Sequence, residues 1–103
     1  FQYSNSGYAL LGLIIENVTG KTYQQNLQES IFNPLKMNNS GYDQHETILL
    51  NRSSGYTKNG STFKNSDYID MSIPYAAGSI YSTVEDLYLW DQALYNNKLL
   101  SLK

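Results

Sequence analysis

The feature that most constrains this chain is an almost uninterrupted apolar run over residues 8–15. Apolar residues recur at positions 8, 11, 15 and 18, which is the spacing of one face of an α-helix. Ser4 or Asn5 can cap such a helix, and Gly20 suits the position just beyond its C-terminus. We therefore predict a helix over residues 4–19 that is apolar around most of its circumference and buried on several sides.

Two further stretches carry helix signals. Thr22 can cap a second helix, and Pro34 is expected to end it near Phe32, because proline disfavours a helical residue before it. A last helix is expected to begin at Ser82 or Thr83, since Ser-Thr-Val-Glu at residues 82–85 fits a capping box, and to end near Tyr95. The expected core stripe of this last helix comprises Val84, Leu87, Trp90 and Leu94.

The region between residues 42 and 73 is rich in Ser, Asn, Gly and Thr. Asn59-Gly60 lies between two short β-prone runs and predicts a hairpin, while residues 48–50 suggest a short buried stretch. Leu35 and Met37 are expected to anchor the preceding turn on the core. The 103 residues therefore predict one small domain that is mainly α with a small β-hairpin.

Composition removes several classes of function. The net charge of −2 provides no basic surface, so nucleic acid is not an expected partner. The sequence has no cysteine, which excludes disulfides and thiolate metal sites within it. Its longest apolar stretch is too short to span a bilayer.

Three motifs follow one another along the chain. The first is Tyr3-Ser4-Asn5, with the tyrosine and the asparagine two residues apart at the mouth of the first predicted helix. The second is Phe-Asn-Pro-Leu-Lys-Met at residues 32–37, and the third is Ala-Gly-Ser-Ile-Tyr-Ser-Thr at residues 77–83, followed by Asp86-Leu87. Together they resemble the serine β-lactamase and penicillin-binding protein superfamily, specifically its class C β-lactamase and D,D-carboxypeptidase branch. Ser-Ile at residues 79–80 departs from the glycine and leucine usual in the third motif.

This resemblance implies that residues 1–103 are the helical subdomain of a β-lactamase/transpeptidase-like α+β fold. The nucleophile of a Ser-x-x-Lys motif, a Lys-Thr-Gly strand and the α+β sandwich would then lie outside this chain. Tyr3 would be catalytic, relaying a proton between the serine and the leaving nitrogen beside two lysines. Asn5 has a donor and an acceptor with which to bind a substrate amide, and Tyr75 is expected to border the substrate cleft. From spacing alone, Tyr3 could also be a core-edge aromatic and Asn5 only a helix cap.

The parent protein implied by the resemblance is a penicillin-recognising serine hydrolase that forms an acyl-enzyme and needs no cofactor or metal. Its substrate would be a β-lactam, a D-alanyl peptide or a small ester, and its location the exterior or cell envelope of a bacterium. The fragment alone is expected to be inactive and to expose an apolar face through which it could self-associate. Alternatives are a catalytically dead penicillin-binding or sensor protein, a related esterase, or a helical interaction domain with accidental similarity.

Two short patterns imitate catalytic motifs. Ser61 and Lys64 spell Ser-x-x-Lys, but they follow an Asn-Gly turn in a polar region instead of opening a buried helix. We therefore interpret them as part of the predicted hairpin. Tyr95-Asn96-Asn97 repeats the Tyr-x-Asn spacing, but it ends the last predicted helix.

The only histidine, His45, lies near Asp43 and Glu46. Three such side chains can hold a metal ion, but the polar sequence around them favours a solvated loop.

Overall fold

The first helix forms where it was predicted. In the computed structural model, which describes residues 1–99, helix α1 spans Asn5–Thr19. The Ser4 hydroxyl caps this helix by accepting a hydrogen bond from the Gly7 N–H at 3.2 Å. Gly20 ends it in the left-handed conformation, with φ of 67°. The cap and the terminating glycine expected from the sequence are therefore confirmed.

The second helical stretch runs further than predicted. Helix α2 spans Tyr23–Leu27 and is capped by Thr22. A π-helical segment, Gln28–Phe32, and a short helix α3, Asn33–Leu35, continue the same path. The prediction that Pro34 ends the helix was wrong, because Pro34 lies in the first turn of α3, where a missing N–H is tolerated.

Helix α4 spans Val84–Tyr95, and the face that it turns inward agrees only in part with the predicted one. Thr83 caps it by accepting a hydrogen bond from the Asp86 N–H at 3.3 Å, one residue later than the predicted capping box. The face turned toward the rest of the chain carries Asp86 and Ala93, which are both buried, with Trp90 partly buried. The predicted core stripe is confirmed at Trp90 and wrong at its other three members, because the helix approaches the core on the side of the small Ala93. The exposed members of that stripe are Val84, Leu87 and Leu94.

The buried core of the described chain is small. It lies where the helical stretch α2 to α3 meets α4, and Leu35 and Met37 anchor the intervening turn as predicted. Its fully buried members are Leu27, Phe32, Leu35, Met37 and Ala93.

Two separate pairs of antiparallel strands complete the described fold. Strand β1, Gly41–Tyr42, pairs with strand β4, Ile80–Tyr81, which sequence analysis did not predict. Strands β2, Tyr56–Asn59, and β3, Thr62–Asn65, form the predicted hairpin around Gly60, whose φ is 62°. The expectation of helices combined with a small β element is therefore confirmed.

Much apolar surface remains exposed. Only Gly12 is buried among the residues of α1, so the predicted burial of this helix on several sides was wrong for residues 1–99. The reason is that α1 packs mainly against α2 and the short 3-10 turn Tyr75–Ala77, and the predicted exposed apolar face is confirmed. Ile48 and Leu50 are 88% and 80% exposed, which contradicts the buried stretch predicted there. None of the helices that the structure describes is long and apolar enough to cross a membrane.

Candidate active site

Tyr3 and Asn5 flank the residue that caps α1. Ser4 holds the cap, so Asn5 is the first residue of the helix and Tyr3 lies just outside it. Tyr3 is 56% exposed, and Asn5 is also exposed. Within the part of the chain that the structure describes, neither side chain makes a hydrogen bond, so both keep their polar groups available. The Ser4 hydroxyl is occupied by the cap, which argues against Ser4 as a nucleophile.

Tyr3 borders a shallow cleft at the mouth of α1. The centroid of its ring lies 5.4 Å from that of Tyr8, and the two ring planes are inclined by 32°. The cleft has a volume of about 380 Å³. The structure therefore brings Tyr3 and Tyr8 together at this cleft, whereas Asn5 and Tyr75 do not line it. The lining residues are Phe1, Gln2, Tyr3, Ser4, Gly7, Tyr8 and Leu11.

Tyr75 packs beneath the middle of α1. A Cβ atom added to Gly12 would lie only 2.7 Å from the Tyr75 Cε1 atom, so a glycine is required for the ring to approach the helix this closely. The centroid of the Tyr75 ring lies 5.4 Å from that of Tyr23 on α2. The Tyr75 hydroxyl is buried close to the Glu16 carboxylate, but no hydrogen bond of ordinary geometry joins it to Glu16 or to any other described residue. Its contact with substrate stays a prediction.

The ionisation of Tyr75 gives a test of this packing. Burial raises the pKa of Tyr75 to about 12, and the nearby Glu16 carboxylate adds to the rise. Because an unfolded tyrosine has a pKa of about 10, the folded state disfavours ionisation of this phenol, so the free energy of unfolding is unaffected by it below pH ~10 and falls as the pH rises from about 10 through about 12. We expect a late phase in a titration of tyrosinate absorbance, reduced by one phenol in Tyr75→Phe.

The same change at an exposed tyrosine, Tyr68→Phe, is the matched control and should leave that late phase intact. At neutral pH, Tyr75→Phe is expected to keep or raise the Tm, because it removes a buried hydroxyl that has no partner. A late phase of unchanged amplitude in Tyr75→Phe would show that this phenol is not enclosed.

A buried carboxylate joins α4 to the turn that follows α3. Asp86 is 3% exposed, and its Oδ2 atom accepts hydrogen bonds from the Asn39 N–H at 2.8 Å and the Ser40 hydroxyl at 2.7 Å. The Ser40 Oγ atom also lies 2.8 Å from the Ser82 Oγ atom. Sequence analysis placed Asp86 in the third motif but did not identify it as a buried group. A buried carboxylate that accepts hydrogen bonds from a backbone N–H and a hydroxyl of another segment holds the two segments together.

Ser79, the first departure from the usual third motif, is 1% exposed. Its hydroxyl donates a hydrogen bond to the Met71 carbonyl, and its own carbonyl accepts one from the Asp43 N–H at 2.7 Å. A glycine could make only the second of these bonds. The serine at this position therefore adds a hydrogen bond that links the loop containing Met71 to the start of strand β4.

A larger, polar cleft of about 560 Å³ lies between the loop after β1 and the segment after β3. The Arg52 guanidinium pairs with buried Asp43 on one wall, and the His45 Nδ1 atom lies 2.5 Å from the Tyr68 Oη atom on another. His45 is exposed, in agreement with the solvated loop expected there. Across residues 1–99, no three His, Asp or Glu side chains gather closely enough to hold a metal ion.

The imitation Ser-x-x-Lys lies on the exposed hairpin, as predicted. Ser61 occupies the turn and Lys64 lies in β3, where its ammonium group is 3.7 Å from the Asp67 carboxylate. The pair does not open a helix, so it lacks the arrangement that would place serine and lysine on one helical face. Tyr95 ends α4, also as predicted.

Comparison with known proteins places these observations in a family. The Beta-lactamase family profile matches residues 1–103. The putative penicillin-binding protein PbpX of Bacillus subtilis (strain 168) is 35% identical over 103 residues, which are all of this chain and 26% of that protein. The teichoic acid D-alanine hydrolase of Staphylococcus aureus (strain MRSA252) is 32% identical over 87 residues, covering 82% of this chain and 21% of the relative.

Among solved structures, the D-amino acid amidase from Ochrobactrum anthropi SV3 has a TM-score of 0.87 and 34% sequence identity to this chain. That superposition covers 99% of this chain and 30% of the amidase. The chain thus spans between a fifth and a third of the length of these relatives. The match of profile, sequence and fold along the whole chain shows that it belongs to the serine β-lactamase and penicillin-binding protein superfamily.

Proposed function

We propose that the full-length protein carrying this chain is a serine hydrolase that forms an acyl-enzyme, and that Tyr3 acts in its proton transfer. The observation that carries this proposal is the position of Tyr3, an exposed phenol without a hydrogen-bond partner among the described residues, at the mouth of a capped helix. The family match extends through this motif. Asn5, the next exposed polar residue, is proposed to bind an amide of the substrate.

The reaction would use a serine outside these 103 residues. That serine attacks the substrate carbonyl, its proton passes to Tyr3, and Tyr3 then protonates the departing nitrogen or oxygen. A tyrosine with an ordinary pKa of about 10 is a weak base at neutral pH, so this role needs a lysine ammonium beside it. The lysine nearest in sequence to α1, Lys21, pairs with Glu29. We therefore propose that the lysines that assist Tyr3 also lie outside this chain.

The substrate class follows from the relatives. One is named as an amidase for D-amino acids and another as a hydrolase of D-alanine on teichoic acid. Both names point to hydrolysis of an amide or ester whose acyl group is a D-amino acid. We propose a D-alanyl amide or ester, or a β-lactam as a related acyl donor, as the substrate of the full-length protein. A cell-envelope location in a bacterium would give access to such substrates.

The proposal is tested by labelling the full-length protein with a fluorescent penicillin, mapping the labelled peptide, and measuring hydrolysis of D-alanine p-nitroanilide. Label on a serine outside this chain, together with turnover, is the expected result. Label on Ser61 would overturn the assignment of the hairpin as non-catalytic. Neither label nor turnover would favour the alternative, a protein that kept the fold and lost its activity.

The 103-residue chain by itself is proposed to be inactive and to self-associate through the α1 apolar face, which we define as Leu10, Leu13, Ile14 and Val18. Sedimentation of the isolated chain that showed only monomer would contradict this self-association.

A further inference from the structure

Helix α1 is held at its middle and C-terminal half. Gly12 is its only buried residue, and a Cβ atom there would lie 2.7 Å from the Tyr75 Cε1 atom and 2.5 Å from the Ala76 Cβ atom. One turn further on, the Glu16 Oε1 atom accepts a hydrogen bond from the Tyr23 N–H at 2.6 Å. These contacts form the seat of α1, which we define as Gly12, Glu16, Tyr23, Tyr75 and Ala76.

Two features of Tyr75, its backbone conformation and its buried hydroxyl, each cost free energy in the folded state. Its φ of 45° lies in the left-handed region, which a bulky aromatic residue adopts only when its surroundings enforce it. Its hydroxyl is buried without a hydrogen-bond partner among residues 1–99. Neither feature favours the turn by itself, because a backbone with φ below zero would relieve the strain and a phenylalanine would remove the hydroxyl that lacks a hydrogen bond. The turn is thus held in a conformation that serves the contact with α1.

The contact at Gly12 bears on the position of Tyr3, at the N-terminal end of the same helix. Asn5, the first residue of α1, precedes Gly12 by seven residues, which is about 10 Å along the helix axis. A tilt of about 5° at Gly12 would therefore move this end of the helix, and Tyr3 with it, by about 1 Å. A displacement of about 1 Å in a reacting group can reduce a rate about a hundredfold. Within the described chain, the Tyr3 ring contacts Tyr8 of its own segment, which moves with the helix.

We propose that Tyr75 is a positioning residue for Tyr3, because its ring, seated beneath Gly12, sets the tilt of α1 and hence the place of the Tyr3 hydroxyl. This inference rests on the proposed function of Tyr3. In this role Tyr75 fixes the orientation of α1 from the seat of the helix, which is distinct from contact with substrate.

The test compares four variants of the full-length protein, with kcat and KM measured on D-alanine p-nitroanilide. Tyr75→Ala deletes the ring, Tyr75→Phe keeps it, Gly12→Ala disturbs the same contact from the helix side, and Tyr68→Ala is the same truncation at an exposed tyrosine. We expect Tyr75→Ala and Gly12→Ala each to lower kcat at least about tenfold with KM changed less than about threefold. Tyr68→Ala is expected to stay within about twofold of the wild type, and Tyr75→Phe, which keeps the ring, is expected to lose clearly less kcat than Tyr75→Ala.

Several outcomes overturn the inference while the proposed function stands. In the first, the wild type is active and both Tyr75→Ala and Gly12→Ala keep a kcat near the wild-type value. In the second, these two variants change only in KM. In the third, Tyr75→Phe loses as much kcat as Tyr75→Ala. If Tyr75→Ala fails to fold, Gly12→Ala decides. If the wild type itself shows neither label nor turnover, the proposed function fails separately, and crystal structures of wild type and Gly12→Ala then decide the positioning inference. A shift of Tyr3 of about 1 Å supports it, and an unmoved Tyr3 contradicts it.

Discussion

Replacing Tyr3 with phenylalanine is expected to lower the kcat/KM of the full-length protein by about a hundredfold to ten-thousandfold, the usual contribution of a group that transfers protons in the transition state. Phenylalanine keeps the ring and its contact with Tyr8 but loses the hydroxyl. Because Tyr3 is 56% exposed and its hydroxyl is not part of the described hydrogen bonding, the free energy of unfolding should change by less than about 0.5 kcal/mol. Activity and stability should therefore separate in this variant.

The matched control for Tyr3→Phe is Tyr95→Phe, which makes the same change in the second Tyr-x-Asn sequence of the chain. Tyr95 is 77% exposed and ends α4, so its loss should leave kcat/KM near the wild-type value. The measurement is steady-state hydrolysis, combined with the rate of labelling by a fluorescent penicillin. A Tyr3→Phe protein within about threefold of wild type in both would exclude Tyr3 from proton transfer, since even one general acid or base contributes far more.

Replacing Asp86 with alanine is expected to be the most destabilising single change considered, at about 3–5 kcal/mol. The substitution removes two hydrogen bonds to a carboxylate and leaves the buried Ser40 hydroxyl and the partly buried Asn39 N–H without that partner. Since whole domains are stable by only about 5–15 kcal/mol, such a loss would remove a large fraction of the free energy of unfolding. Urea unfolding should show a lower midpoint with an unchanged slope.

Two further variants distinguish the effect of the Asp86 hydrogen bonds on stability from the effects of its charge and of its place on α4. Asp86→Asn keeps one acceptor oxygen and should lie between the wild type and Asp86→Ala. Asp91→Ala removes an exposed aspartate of the same helix and should cost less than about 0.5 kcal/mol. Equal effects of Asp86→Ala and Asp91→Ala would mean that the connection from α4 to Ser40 contributes nothing to stability.

Features set by neighbouring residues could be predicted without coordinates. Helix α1 begins after Ser4 and ends at Gly20, because a hydroxyl that accepts from an N–H three residues later and a glycine at positive φ are both local devices. The hairpin around Gly60 formed for the same reason. Predictions that concerned burial failed more often, as at Ile48 and Leu50, because burial depends on which other segments arrive at a position.

The candidate site divides in the same way. Tyr3 and Asn5 were placed at a helix mouth by their own sequence neighbours, and the ordered motifs around them indicated the superfamily that the comparisons then showed. The seat of α1 was not foreseen, because nothing local reveals that Gly12 lies against Tyr75, a residue far along the chain. The strained backbone of Tyr75 could not be predicted either, because no local sequence signal indicates a positive φ at a tyrosine.

The sequence by itself determined the helix that carries Tyr3, its cap and its end, because each depends on residues within a few positions of one another. It also indicated the family, through three motifs that keep their order along the chain. Only the tertiary structure decided which groups meet: Tyr75 under Gly12, the Asp86 carboxylate on Ser40, and strand β1 beside β4. These contacts join residues about 40 or more positions apart, and their partners are selected by the packing of whole segments rather than by local preference.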